Sequence, residues 1–407
     1  MEEYVTTQQD RWTVGPETVR MLELGHPWVV ADAYTKKWPA GQAGQTVALC
    51  DGQGRFLATA LLDDQQERVV ARVLARERIR LERPWLVKRL QAAIELRREH
   101  ADLTESDAYR LVNAEGDGLP GLTVDRYADY LMIQLYSSAW RPHLKLITQI
   151  LQELLSPQGI YEKQRPRKTR ELEAAGDSKN YGRLLTGGVA PQRLEVRENG
   201  LTFLVSLEQG LNTGLFLDQR RNRADLIKRV EGKRVLNLFS YTGAFSVAAA
   251  AGGASLVTSV DASPGYTEWA RANFGVNRLN PKKHEFIVGD CLAVLGELLK
   301  SKKSYDLILM DPPSFSTTAK SRFTTRGGTS DLVAAALPLL SGGGLLLASS
   351  NHQKVDLADY LKELRRGALQ AGSDLRVISL FGQPEDFPYP VTFPEGRYLK
   401  YAVCVKA

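Results

Sequence analysis

The amino-acid sequence predicts an α/β protein: a β-rich N-terminal domain and a small central α/β domain, followed by a mostly parallel, doubly wound sheet. Three observations support this fold class. From residue 234 onward, short apolar runs alternate with helix-compatible stretches, as in parallel sheets. The first of these runs ends in a tight turn that contains a glycine. Residues 12–82, by contrast, have the pattern of short strands separated by turns.

Length and composition limit the architecture. A chain of 407 residues suggests two or three domains, and we place them at 12–82, 83–195 and 196–407. Apolar residues make up 43% and charged residues 25% of the chain, the proportions of ordinary globular proteins. The net charge of +6 permits a polyanionic partner without requiring one.

The cysteines and the first residues lead us to expect a cytoplasmic protein. Cys50, Cys291 and Cys404 are widely separated and lack metal-ligand spacing, so we expect a reducing compartment and no metal site. The first residues are polar and acidic, unlike a signal peptide. No segment approaches the ~18 apolar residues that a membrane helix needs.

The first two domains are predicted from hairpin and helix patterns. Asp51–Gly54 lies between apolar runs, which is a hairpin signal. Residues 83–103 place basic residues among apolar ones at helical spacing, which predicts an amphipathic connector with a basic face. Strand patterns flank the glycine-rich segment 115–121, and a strand at 131–136 precedes a helix at 142–155.

The C-terminal domain is organised around residues 234–245. Val235–Phe239 has the pattern of a strand, Ser240–Gly243 that of a turn, and Ala244–Ala251 that of a helix. In open α/β sheets, ligands bind at the carboxyl ends of the strands, often at a helix N-terminus. Gly243 would allow close approach of a ligand, but one glycine is not the three-glycine dinucleotide fingerprint.

Three of the predicted strands in this domain end in an aspartate, namely Asp261, Asp290 and Asp311. A single aspartate in this place is more often a turn or helix cap. Three of them along one sheet edge, after a glycine turn, favour a nucleoside ligand. Asp261 would then accept hydrogen bonds from ribose hydroxyls.

These residues, in this order, resemble the class I S-adenosylmethionine (SAM) dependent methyltransferases, and more narrowly the large-subunit ribosomal RNA methyltransferase I family. The resemblance covers nearly the whole chain. It implies a Rossmann-like SAM-dependent methyltransferase domain with a seven-stranded sheet, an N-terminal RNA-binding PUA domain, and methylation of cytosine C5 in 23S rRNA. The motifs that carry it are Gly25-His26-Pro27-Trp28, Tyr109-Arg110-Leu111, 115–121, Val124-Asp125-Arg126, 213–220, 237–243, Val260-Asp261, Gly289-Asp290, 311–315 and 394–400.

The resemblance also implies which residues bind SAM. Asp261 would hold the ribose, and Asp290 with Cys291 would lie near the adenine. The other predicted cofactor-binding residues are Asp218, Gln219, Arg220, Phe239, Ser240, Tyr241, Thr242, Gly243 and Asp311.

The acceptor base is expected next to the fourth strand of the domain. Asp311, Pro312 and Pro313 are predicted to lie beside the methyl group and the target base. The ring of Phe315 is predicted to stack on a base taken out of its helix. The protein mainly positions donor and acceptor, because the methyl group of SAM is already activated.

The sequence departs from the family where the nucleophile is expected. C5 of cytosine is a poor nucleophile, and family members first add a cysteine thiolate to C6. Here that position falls on Ser350, or on Asn351 with a one-residue shift, and no cysteine lies nearby in the sequence. We therefore favour a guanine nitrogen as the target atom. Asn351 and His352 would hydrogen-bond the base and take up a proton, and Ser350-Asn351 also resembles the guanine-methylating 23S rRNA family.

Other functions stay open at this point. Cytosine C5 methylation, as in the resembling family, is one alternative, and a non-catalytic SAM- and RNA-binding assembly factor is another. A nicotinamide-dependent oxidoreductase would need the three-glycine turn that is absent. A small-molecule methyltransferase would not need the β-rich N-terminal domain.

RNA is the expected partner, and a homodimer is also considered. His26 either contacts RNA or packs a small barrel. Further basic residues that could contact phosphates lie in one segment: Lys163, Arg165, Arg167, Lys168 and Arg170.

Overall fold

The computed structural model describes residues 12–164, 179–313, 315–317 and 322–407. In this part of the chain, three sheets of five or more strands follow one another from the N-terminus to the C-terminus. None of the described helices has the length and apolar character required to span a bilayer.

The N-terminal domain is a five-stranded sheet, as the strand and turn pattern predicts. Trp12 and Trp38 pack edge to face in its core, with 5.2 Å between the ring centroids. The pattern does not predict the helix α1 (Pro16–Glu23), which is short and buries little apolar surface. The strands are β1 (Trp12–Thr13), β2 (Trp28–Val30), β3 (Thr46–Cys50), β4 (Phe56–Leu62) and β5 (Val69–Ala75), in the spatial order β1-β3-β4-β5-β2.

The central domain is a second five-stranded sheet on which helices α2 (Arg83–His100) and α3 (Leu144–Leu155) pack. Arg97 of α2, expected on an exposed basic face, is instead buried. Its guanidinium binds the Asp117 carboxylate and the carbonyl of Asp386. The strands are β6 (Ala108–Asn113), β7 (Leu122–Tyr127), β8 (Tyr130–Leu135), β9 (Gly159–Lys163) and β10 (Gly182–Gly187), in the spatial order β10-β9-β8-β7-β6.

A hairpin and a helix lead from the central to the C-terminal domain. The hairpin consists of β11 (Leu194–Glu198) and β12 (Leu201–Val205), and the helix is α4 (Arg220–Ile227). The boundary placed between residues 195 and 196 falls inside β11. The three domain ranges therefore stay a prediction.

The C-terminal domain is a seven-stranded sheet with helices on both faces. The spatial order is β15-β14-β13-β16-β19-β21-β20, and β21 is antiparallel to both of its neighbours. The strands are β13 (Arg234–Leu238), β14 (Leu256–Asp261), β15 (Glu285–Val288), β16 (Tyr305–Met310), β17 (Phe315–Thr317), β18 (Arg322–Thr324), β19 (Leu340–Ser350), β20 (Leu375–Phe381) and β21 (Lys400–Lys406), of which β17 and β18 form a separate hairpin. The helices are α5 (Ala244–Ala251), α6 (Pro264–Val276), α7 (Cys291–Lys300), α8 (Thr325–Ala336) and α9 (Leu357–Gln370).

The strand order places a ligand crevice at the centre of this sheet. From β13 the chain crosses to β14 on one side, and β16 pairs with β13 on the other side. In open α/β sheets, ligands bind at this switch point, beyond the carboxyl ends of the strands. Buried residues of α4 and α5 cover one face, and those of α7, α8 and α9 cover the other.

Strand β19 is longer than its sequence predicts. Three successive glycines such as Gly342–Gly344 would ordinarily end a helix before a strand at 345–348, but they lie inside β19. The strand register against β16 shifts there, and Gly343 adopts a φ of +71°. Glycine tolerates that conformation, so the strand continues through the irregularity to Ser350 at the ligand edge.

Candidate functional site

The turn after β13 has a strained backbone. Phe239 and Tyr241 adopt positive φ angles of 57° and 50°, and Gly243 adopts 79°. Such conformations cost about 1–3 kcal/mol each in residues other than glycine, and they cluster at ligand sites. A Cβ on Gly243 would lie 2.6 Å from the Cβ of Ala270, so this position requires glycine. The turn therefore holds the N-terminus of α5 at the crevice.

The carboxylate of Asp261 orders this turn. It accepts hydrogen bonds from the backbone N–H of Tyr241, at 2.8 Å, and of Ser263, at 2.9 Å. Asp261 is the last residue of β14 and is partly exposed. A carboxylate fixed in this place is suited to accept hydrogen bonds from ribose hydroxyls.

Asp290 and Cys291 begin α7 at the end of the neighbouring strand. Asp290 caps the helix, because its Oδ1 accepts from the backbone N–H of Leu292 and Ala293, at 3.1 and 3.2 Å. Cys291 is buried, and that burial raises the pKa of its thiol to about 12. At neutral pH the thiol is therefore uncharged.

These groups fit a nucleoside cofactor. The turn, Asp261 and Asp290 follow three adjacent strands, so they lie side by side along the carboxyl edge of the sheet. Phe239, Tyr241, Asp261 and Asp290 keep part of their surface exposed there. Within the residues that the structure describes, no group of three or more His, Cys, Asp or Glu side chains is arranged to hold a metal ion.

Asp311 follows β16 at the switch point and is held by two neighbours. Its Oδ2 accepts a hydrogen bond from Nε2 of Gln219 at 2.9 Å, and the same Nε2 lies 2.9 Å from Oγ of Ser349. Burial, with the charge of nearby Asp218, raises the pKa of Asp311 to about 6. Asp311 can therefore exchange a proton close to neutral pH.

Asp218 and Tyr398 form a second polar pair next to Asp311. The Tyr398 hydroxyl donates to Oδ2 of Asp218 at 2.8 Å. Burial raises the pKa of Asp218, and the charge of Arg110 partly opposes that rise. Arg110 lies on β6 of the central domain, where its guanidinium binds Asp125 at 2.5 Å. The central domain thus contributes a charged side chain to this wall of the site.

Arg220, predicted to bind the cofactor, has its guanidinium engaged by protein groups. Its side chain is buried, and its guanidinium donates to the Asp386 carboxylate at 2.6 Å and to the Asp102 carbonyl at 2.8 Å. These contacts tie α4 to two loops, so Arg220 stabilises the domain junction.

The segment Ser350–His352 closes the side of the crevice next to Asp311, where the acceptor base is expected. We call this the acceptor side. Ser350 is buried at the end of β19 and is paired across the strands with Lys400 of β21. Nδ1 of His352 is buried and has no hydrogen-bond partner in the described structure. Burial, with the charges of Lys400 and Lys354, lowers the pKa of His352. A neutral imidazole with an unsatisfied nitrogen can bind a base once that nitrogen is uncovered.

The predicted RNA contacts have mixed outcomes. Lys163 is buried, and its ammonium donates to the carbonyls of Leu207 and Gly210, at 3.0 and 3.1 Å, so it is not an exposed phosphate contact. His26 packs edge-on against Phe393 of the C-terminal domain with ring centroids 5.3 Å apart, and both of its alternatives stay predictions. The predicted residues outside the described part of the chain are Arg165, Arg167, Lys168, Arg170 and the side chain of Phe315.

Sequence reasoning missed Arg110, Tyr398 and Lys400 as site residues. The Lys400 ammonium donates to the carbonyls of His352 and Tyr398, at 2.7 and 2.8 Å. All three residues lie in motifs that carry the family resemblance. The motifs alone do not reveal that these segments meet beside Asp311.

Two family models of known proteins match this chain. A family model described as S-adenosylmethionine-dependent methyltransferase matches residues 117–393, which is more than half of the chain. A second family model, described as PUA-like domain, matches residues 13–76.

Relatives and solved structures agree with these family models. The ribosomal RNA large subunit methyltransferase I of Yersinia pseudotuberculosis is 33% identical over 380 residues, which are 93% of this chain and 95% of the relative. SMU.776, assigned as a methyltransferase and complexed with SAH, superposes with a TM-score of 0.87 at 30% identity and covers 97% of this chain and 99% of its own. A Streptococcus mutans protein assigned as a SAM-dependent methyltransferase superposes with a TM-score of 0.85 at 30% identity over the same shares.

These findings confirm the predicted fold class, enzyme class and cofactor, which is SAM. The chain therefore belongs to the ribosomal RNA large subunit methyltransferase I family of SAM-dependent methyltransferases.

Proposed function

We propose that this enzyme methylates a guanine nitrogen in 23S ribosomal RNA rather than C5 of cytosine. The RNA substrate is supported by relatives named as methyltransferases of large-subunit ribosomal RNA and by the PUA-like domain. The target atom is inferred from the chemistry that the acceptor side offers.

The proposal of a guanine nitrogen as the target rests on the positions of the cysteines. The chain has three cysteines, and all of them are buried. Cys50 lies in the N-terminal sheet, and Cys291 faces the apolar core under α7. Cys404 pairs with Leu346 inside the seven-stranded sheet, where burial raises its pKa to about 11. The chain therefore lacks a thiolate that could add to C6 of cytosine, a step that C5 methylation requires.

A guanine nitrogen needs only a proton acceptor and correct placement. When bound, SAM supplies an electrophilic methyl group, and its transfer to nitrogen releases SAH. The Asp311 carboxylate takes up the proton that the nitrogen loses, because its pKa of about 6 leaves it largely ionised at pH 7 yet able to bind a proton. Gln219 and Ser349 hold the carboxylate in one orientation.

Asn351 and His352 complete the acceptor side in this proposal. The amide of Asn351 offers both a donor and an acceptor to the edge of a base, unlike a thiol. Nδ1 of His352 is buried without a hydrogen-bond partner among the described residues, so it can bind the base only if RNA binding uncovers it. We therefore expect Asn351→Ala to lower the rate of methyl transfer while leaving SAM affinity unchanged.

A double-label assay tests the target atom. Unmodified 23S rRNA carrying tritium at C5 of every cytosine is incubated with the enzyme and with SAM carrying a carbon-14 methyl group. Methylation at C5 breaks the C5–H bond and releases tritium to water, whereas methylation of guanine leaves it in place. We expect incorporation of carbon-14 without release of tritium. Equimolar release of tritium would contradict the proposal.

A cysteine-free variant supplies the matching control. Cys50→Ala, Cys291→Ala and Cys404→Ala are combined and assayed well below the melting temperature, because each change leaves a small cavity. Retained methyl transfer supports a route without a thiol nucleophile. Loss of transfer in a folded variant that still binds SAM would oppose it.

A further inference from the structure

Lys400 is a buried cation that the proposed chemistry does not use. It is the first residue of β21 and is 5% exposed. Burying an ammonium is costly unless its protons find acceptors, and here Nζ donates to two backbone carbonyls. A lysine held in this way fixes the segments to which those carbonyls belong.

The two carbonyls belong to the two segments that border the acceptor side. One is the carbonyl of His352, 2.7 Å from Nζ, directly after Ser350 and Asn351. The other is the carbonyl of Tyr398, 2.8 Å from Nζ, in the loop before β21. The Tyr398 hydroxyl in turn holds Asp218. One ammonium therefore sets the backbone position of both segments.

The charges around Lys400 also affect the His352 ring. Burial lowers the pKa of Lys400 to about 8, so the lysine is mostly protonated at pH 7, and Asp356 is the nearby carboxylate that favours the charged form. The Lys400 charge, together with that of Lys354, lowers the pKa of His352 beyond the effect of burial. Lys400 thus disfavours the protonated form of the imidazole.

We propose that Lys400 is a positioning residue for the acceptor base: it holds the segments of His352 and Tyr398 so that their side chains face the base beside Asp311. The inference rests on the acceptor side of the proposed function, but it does not depend on which atom is methylated. Misplacing a reacting group by about 1 Å can cost roughly 100-fold in rate, so a residue of this kind acts on kcat.

A second lysine on the same strand provides a matched control. Lys406 also donates to two backbone carbonyls, those of Leu337 and Leu340, at 2.8 and 2.7 Å. It lies at the other end of β21, about 20 Å away at the rise of a strand. Lys406→Met therefore removes the same type of contact far from the acceptor side.

The test compares Lys400→Met and Lys406→Met in the full-length enzyme. Total methyl label transferred to rRNA is counted under saturating SAM, whatever nucleoside carries it, and SAM affinity and melting temperature are measured in parallel. We expect Lys400→Met to lower kcat by about 10- to 100-fold with SAM affinity within about twofold of the wild type. Lys406→Met should keep kcat, whatever its loss of thermal stability. Equal kcat in the two variants would overturn the proposal.

A second readout does not depend on catalysis. The chain has five histidines, so their ring C–H signals can be titrated by NMR, with His352 assigned from its absence in His352→Gln. We expect the pKa of His352 to rise in Lys400→Met and to stay unchanged in Lys406→Met. An unchanged value in both variants would contradict the role of Lys400. If the methylated product is 5-methylcytidine, the proposed function fails while both comparisons still decide the role of Lys400.

Discussion

The cofactor side and the acceptor side of this site are built in different ways. On the cofactor side, the contacts are local in sequence: Asp261 holds a backbone N–H 20 residues away, and Asp290 caps its own helix. On the acceptor side, the contacts join distant segments. Gln219 reaches Asp311 across 92 residues, and Tyr398 reaches Asp218 across 180.

This difference separates cofactor binding from target choice. A strand, a strained turn and a terminal aspartate can form the cofactor side with little help from the rest of the chain. The acceptor side exists only where several segments meet, so one substitution there can change the chemistry without disturbing SAM. Ser350 and Asn351, which are predicted at the position of the cysteine implied by the resemblance, would be such a change. Substitutions on the two sides should therefore separate SAM affinity from the rate of methyl transfer.

The largest expected effect is that of Asp311→Asn on the rate. An amide cannot take up a proton, so we expect kcat to fall by about 100- to 10,000-fold, the range of a lost general base. SAM affinity should change by less than about threefold, because the groups predicted to hold the ribose and the adenine, Asp261 and Asp290, lie on the other side. The measurements are single-turnover methyl transfer and calorimetric SAM binding. A matching loss of SAM affinity would break the separation.

The same substitution should raise stability at neutral pH. Burial raises the folded-state pKa of Asp311 from 3.8 to about 6. The protonated form is therefore favoured by folding, and its contribution is fully present below about pH 4 and lost as the pH rises through about 6. Melting temperatures of Asp311→Asn and wild type should agree near pH 4 and diverge in favour of the variant above pH 6. Parallel curves would mean that Asp311 has an ordinary pKa.

The next largest effect is that of Asp261→Asn on SAM affinity. Hydrogen bonds to a charged group contribute about 1.5–3 kcal/mol, so we expect the Kd for SAM to rise by roughly 10- to 100-fold. The maximal rate at saturating SAM should stay near that of the wild type.

Asp306→Asn is the control for that change. Like Asp261, Asp306 accepts a hydrogen bond from a backbone N–H. Its donor is Arg234 on β13, at 2.9 Å, which lies at the opposite end of the strands. The Asp306→Asn variant should leave the Kd for SAM unchanged. Unchanged affinity in Asp261→Asn as well would remove Asp261 from the cofactor side.

A smaller effect is expected from Tyr398→Phe. The hydroxyl that holds Asp218 is lost, and a neutral donor of this kind is worth about 1 kcal/mol, or roughly fivefold in kcat/KM for rRNA. Tyr401→Phe is the control, because the Tyr401 hydroxyl is buried and has no hydrogen-bond partner in the described structure. Steady-state kinetics should separate the two variants, and equal losses would assign Tyr398 a structural role only.

The smallest effect is expected from Ser350→Ala. A buried serine hydroxyl is not the nucleophile in this account, so total methyl transfer should stay within about threefold of the wild type. A loss above about 100-fold, with SAM affinity intact, would mean that Ser350 itself attacks the base.

The sequence predicts the cofactor side better than the acceptor side, because only the cofactor side is built from contacts that are local in sequence. The alternation of strands and helices in the C-terminal domain and the strand ends at Asp261 and Asp311 follow from apolar periodicity and single residues. The burial of Lys163, Arg97 and Arg220 does not, because each donates hydrogen bonds to acceptors contributed by segments distant in sequence. Nor could the sequence show that Lys400 contacts the carbonyl of His352, since that contact depends on β21 inserting between β19 and β20.

Mass spectrometry of modified nucleosides tests the central claim most directly. Unmodified 23S rRNA, free or in ribosomal subunits, is incubated with the enzyme and isotopically labelled SAM, then digested to nucleosides. This account predicts a labelled methylguanosine and no labelled 5-methylcytidine. Labelled 5-methylcytidine would contradict it, because some other group would then have to replace the missing cysteine thiolate.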